Sequence, residues 1–140
     1  MPDAPSPVTE FAHIPAGGSV NTWRIDSVNE RDAGAVQQVS FEKTPPYTWL
    51  KGWAVDPYSG DCAGAVAVEV DGKPMQAVYG VPKPIVPVLL KGQKCGNAGF
   101  EWALHLPKGS HKLQLKILST KRDVWYTSDA PLTINTGVGE

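Results

Sequence analysis

Residues 65–80, AVAVEVDGKPMQAVYG, leave little freedom in local structure. Val66, Val68 and Val70 recur at every second position, as do Met75, Ala77 and Tyr79 beyond Asp71-Gly72. A period of two puts alternate side chains on one face of an extended segment. Asp-Gly tolerates positive φ at both central positions of a tight turn, the backbone geometry that matches the twist of paired strands. The segment is expected to form a β-hairpin with one apolar face, and that face needs a second layer to cover it.

The same alternation recurs along the chain. It is visible in NTWRIDSVN, in AVQQVSF through Val36, Val39 and Phe41, and in YTWLKGWAV, GFEWALHL, HKLQLKILS, VWYTS and APLTIN. No window has a helical period. Turn formers are plentiful, with 14 Gly and 13 Pro in 140 residues. Short strands at such spacing predict an all-β chain folded as an antiparallel two-sheet β-sandwich of about 7–9 strands. The expected core comprises Trp53, Val55, Val68, Phe100, Trp102, Leu113 and Leu115. A bulge is expected near Gly52, and Trp49 faces the core or solvent according to whether that bulge shifts its register. Of the adjacent Trp125 and Tyr126, which must point to opposite faces, Tyr126 is expected to be the exposed one.

Residues 1–18 hold Pro2, Pro5, Pro7, Pro15, Gly17 and Gly18, a composition that favours a flexible lead or linker. The sandwich is expected over 19–136, with a flexible tail at 137–140. Residues 80–98 carry Pro82, Pro84 and Pro87 and read as a long loop. The formal charge of −1 is spread without a basic cluster, so no nucleic-acid partner is expected. No apolar run approaches the ~20 residues needed to span a bilayer, so no membrane insertion is expected. The first residues lack the basic and apolar regions of a signal peptide and look like a linker from a longer exported chain. A monomer is expected.

Cys62 and Cys95 lie in two loops, GDCAG and QKCGN, without the further ligands that a zinc site requires. A disulfide is expected, which implies an oxidising compartment; the alternative is a pair of unpaired surface thiols in a cytosolic protein. His105 and His111 flank one turn and His13 lies in the lead, so no metal site is expected. Asp56 and Asp61 in DPYSGD, with Glu69, invite a calcium or glycosidase reading, but Asp-Pro and Ser-Gly-Asp are ordinary turn chemistry. No nucleophile elbow, phosphate-binding glycine loop or His-Glu-x-x-His helix occurs. The chain is therefore not expected to be an enzyme, and no cofactor is expected.

The series IDSVN, LKGWAVDPYSGDCAGAVAVEVDGKPMQAVYGVPKPIV, GFEWALHLPKGSHKLQLKILS and VWYTS resembles the small immunoglobulin-like β-sandwich modules of bacterial envelope proteins and membrane glycosyltransferases. Such modules pair a Gly-Trp-Ala-Val-Asp strand with a Val-Asp-Gly hairpin and a Gly-x-His-x-Leu strand. The resemblance covers residues 25–135. It implies an extracytoplasmic accessory module, periplasmic or at the cell surface, belonging to a longer membrane-associated protein. For His111 it implies a hydrogen-bonded structural role near the start of its strand.

Aromatic rings outside the core could stack on the apolar faces of sugars. The expected carbohydrate-binding residues are Tyr58, Tyr79 and Tyr126, with Lys83, Gln93, Lys94 and Asn97 supplying polar contacts. A glycan is thus one expected partner. The alternative is a structural module that docks an envelope protein, and a small hydrolase using His105 or His111 is a third reading.

Overall fold

A computed structural model describes residues 13–32 and 37–140. Residues 1–12 of the expected lead and Val36 of AVQQVSF lie outside the described residues. The chain is all-β, with strands β1 (Ala16–Val20), β2 (Trp23–Val28), β3 (Arg31–Asp32), β4 (Gln38–Ser40), β5 (Thr48–Ala54), β6 (Ala65–Val70), β7 (Lys73–Gln76) and β8 (Val78–Val81). A single turn of helix, α1 (Val86–Leu89), precedes β9 (Gly99–Leu104), β10 (Gly109–Leu118), β11 (Trp125–Ser128) and β12 (Leu132–Thr136).

Two sheets pack face to face. The first runs β1-β11-β10-β12-β4, with β6 and then β7 on the other edge of β10; the second runs β3-β2-β5-β9-β8. The expected hairpin is present: Asp71 and Gly72 have φ of 49° and 90°, and β6 pairs antiparallel with β7. Val66, Val68, Val70, Leu113, Leu115 and Ile117 of the first sheet form one buried cluster with Ile25, Val28, Leu50, Phe100 and Trp102 of the second. Alternation decides which residues enter this layer, because apolar area leaves water only on the face turned to the other sheet.

Several expectations are corrected. The run after the Asp71-Gly72 turn is two strands, since the chain leaves β6 after β7 and joins β9 in the other sheet as β8. Ala77 marks the switch, its amide bonding Val66 O at 3.0 Å. The sandwich is not antiparallel throughout: β1 runs parallel to β11, and β4 parallel to β12. The lead expected to extend to residue 18 is already strand from Ala16. The expected tail is tied down: the Val138 and Gly139 amides bond Phe41 O and Glu42 O, and Lys108 Nζ donates to Glu140 O at 2.8 Å. The loop at 80–98 contains the end of β8 and α1.

All seven expected core residues are buried, but in two places. Val68, Phe100, Trp102, Leu113 and Leu115 lie between the sheets, whereas Trp53 and Val55 pack with Val86, Cys95 and Ala98 in a separate cluster. Leu50 and Ala54 take the inward positions of β5, so Trp53 projects from its outer side, where the loop carrying α1 covers it. Trp49 shares that outer side and is half-buried, with Lys51 Nζ 4.3 Å from the ring centre. The bulge lies in β2, between Ile25 and Ser27 opposite Gly52 and Lys51, and leaves the parity of β5 intact.

Candidate functional site

The turn after β5 begins at Asp56, which is buried although ionisable. Its Oδ1 accepts from the Tyr58 and Ser59 amides at 2.8 and 3.1 Å, and its Oδ2 accepts from the Thr120 amide at 2.7 Å. A buried carboxylate is tolerated when donors replace its water in this way. Thr120 Oγ1 in turn donates to Cys62 O at 2.6 Å. DPYSGD is thus turn chemistry, as expected, and it joins the turn to the segment before β11.

The same turn is joined to the Pro-rich loop. Cys62 and Cys95 form a disulfide with Cα atoms 4.9 Å apart, and the Lys94 amide bonds Gly60 O at 2.9 Å. Such a bond persists in oxidising compartments. Held from both sides, the turn pushes Tyr58 into solvent at 79% exposure. Its ring meets Tyr126 edge-on, with centroids 5.6 Å apart and planes at 64°.

Beside Tyr58 lies a groove of about 450 Å³ lined by Ser19, Val20, Asn21, Thr22, Pro57 and Asp129. A second hollow continues from Asn21 and Asp129 past Trp23, Arg24 and Trp53. Trp23 Nε1 donates to Asp129 Oδ1 at 2.9 Å and to Val20 O at 3.0 Å, which fixes the carboxylate in the groove wall. Hydroxyl, amide and carboxylate groups therefore surround an exposed aromatic ring.

The expected binding residues are distributed differently. Tyr58 and Tyr126 come together. Tyr126 is paired with the inward Ile117 and is half-buried, while Trp125 takes the opposite face; the expectation of Tyr126 as the exposed ring is corrected. Tyr79 is an internal tie rather than a surface ring: its hydroxyl donates to Ala54 O at 2.7 Å and accepts from the Ala63 amide at 3.0 Å. Burial pushes its pKa up to about 12. Lys83 Nζ pairs with Asp26 Oδ2 at 2.9 Å, and Gln93 Oε1 accepts from the Cys95 amide at 2.8 Å. The Lys94 side chain and Asn97 are exposed. The sequence reading missed Asn21, Thr22, Trp23 and Asp129, because the groove is assembled from segments about a hundred residues apart.

The histidines have local roles. His111 Nδ1 lies 2.8 Å from Asp71 Oδ2 and Nε2 lies 2.7 Å from Pro107 O. Two acceptors can both be satisfied only by the protonated ring, which donates from each nitrogen. Burial alone would lower the His111 pKa, but the Asp71 and Pro107 hydrogen bonds outweigh it and raise the value above the ordinary one. His105 Nδ1 meets Pro46 O at 3.1 Å, and His13 is exposed. Among the described residues, no three His, Cys, Asp or Glu side chains gather as a metal site. Also among these residues, no helix is long and apolar enough to cross a membrane. In comparison with known proteins, no family model matches the chain and no curated protein matches it.

Proposed function

We propose that this chain is a non-catalytic accessory module of a bacterial envelope protein, immunoglobulin-like in fold and extracytoplasmic, that binds a saccharide in the groove beside Tyr58. The observation that carries this reading is the exposed Tyr58 ring, braced by Tyr126 and bordered by Asn21, Thr22 and Asp129. An aromatic plane suits the apolar face of a pyranose, and the neighbouring polar groups suit its hydroxyls. The disulfide supports the compartment, and the two packed sheets together with the Gly-Trp-Ala-Val-Asp and Val-Asp-Gly motifs support the fold assignment.

The test is a glycan array followed by calorimetry on the best ligand. Tyr58→Ala weakens binding about tenfold or more with the melting temperature unchanged. An unaltered affinity in that variant, or no glycan bound by the native chain, refutes the reading. Turnover of any ester or glycoside in a broad substrate panel refutes the non-catalytic assignment.

A further inference from the structure

We propose that the outer face of α1 and the lysines that follow it form a docking surface for an anionic lipid bilayer, on which the domain rests without spanning it. This inference is independent of the saccharide reading. Ile85, Val88 and Leu89 are 49%, 76% and 58% exposed, and their spacing places them on one side of a single helical turn. The opposite side is committed to the fold: Val86 is fully buried against the Trp53 cluster, and Leu90 packs on it four residues later. The three apolar side chains therefore point away from the domain on a turn that cannot roll them inward. The disulfide at Cys95 and the Lys83 amide bonded to Gly96 O at 2.7 Å hold the loop's two ends.

The charge around this turn selects the occupant. Residues 72–100 contain Lys73, Lys83, Lys91 and Lys94 and neither Asp nor Glu, in a chain whose net charge is −1. Lys83 is spent on Asp26, whereas Lys91 and Lys94 are exposed immediately after α1. The disulfide brings Asp61 toward the loop, and the two lysines exceed it. Apolar side chains that enter the acyl boundary, with ammonium groups left at headgroup level, are the pattern of an interfacial anchor. A protein groove would accept the apolar residues equally well but gives no reason for the adjoining positive charge.

Co-sedimentation of the oxidised full chain with vesicles tests this. Binding to phosphatidylglycerol–phosphatidylcholine vesicles and none to phosphatidylcholine alone is expected. Val88→Asp with Leu89→Asp reduces binding about tenfold or more, and Lys91→Gln and Lys94→Gln each reduce it about fivefold. These positions are exposed, and an unchanged melting temperature confirms that each variant is folded. Failure of the native chain to bind anionic vesicles at low salt overturns the proposal, as does undiminished binding by the aspartate variant. Sedimentation velocity supplies a further decisive outcome: a native dimer that the aspartate variant dissolves assigns the patch to self-association and overturns the bilayer.

Discussion

At the scale of single residues, His111 links the fold to pH. Its pKa is raised in the folded chain, so as pH climbs past the ordinary histidine value of about 6.5 the unfolded chain releases its proton first. The contribution is complete below that value and is lost as pH rises through the folded value. Asp71 has the opposite sense: burial raises its pKa, but the Lys112 amide and His111 outweigh burial and lower it, so its contribution fades as pH falls below about 3.8. Denaturant unfolding is expected to show stability declining from pH 6.5 to 8, and His111→Gln flattens that decline. Tyr79→Phe leaves Ala54 O without its hydroxyl donor and costs about 1–3 kcal/mol. Because burial pushes the Tyr79 pKa up to about 12, ultraviolet titration of the folded chain is expected to include a late phenol step that the variant lacks.

Elements were legible where side-chain alternation and turn chemistry agreed. Val66, Val68 and Val70 with Asp71-Gly72 state a hairpin outright, and the strand there is the one expected. The turn joining β2 to β3 is also two residues with positive φ, but it is Asn29-Glu30, and glutamate gives no signal for that conformation. Asn29 compensates by receiving the Trp49 amide on Oδ1 at 2.6 Å and donating to Tyr47 O at 3.0 Å. The switch of sheets between β7 and β8 was hidden because Met75, Ala77 and Tyr79 keep their alternation through it. Gly52 faces Ile25 at the edge of the bulge in β2, and a Cβ there would collide with Arg24 O and the Phe100 ring. Gly52→Ala is expected to cost about 3 kcal/mol, read from the shift in the chemical denaturation midpoint.

For the whole molecule, side-chain parity identified the buried residues but not the layer in which they are buried. Trp53 and Val55 looked like sandwich core; they are the floor of a second, smaller core roofed by the loop with α1. Nothing local in LKGWAV distinguishes the two, since the roof comes from residues 86–98. The groove beside Tyr58 was illegible for the same reason: Asn21 and Asp129 meet only after β1 has paired with β11. The disulfide closes a separation of 33 residues, so Cys62→Ser with Cys95→Ser lowers global stability by about 3–4 kcal/mol in the chain-entropy model. Urea unfolding of both forms measures the difference.

That crosslink also makes one indole an indicator of how a sample was prepared. In chain produced without an oxidant the lid above Trp53 is left to its non-covalent contacts, and tryptophan emission is expected to shift to the red. A fluorescence spectrum taken before and after a reductant then distinguishes intact preparations from loosened ones ahead of any binding assay.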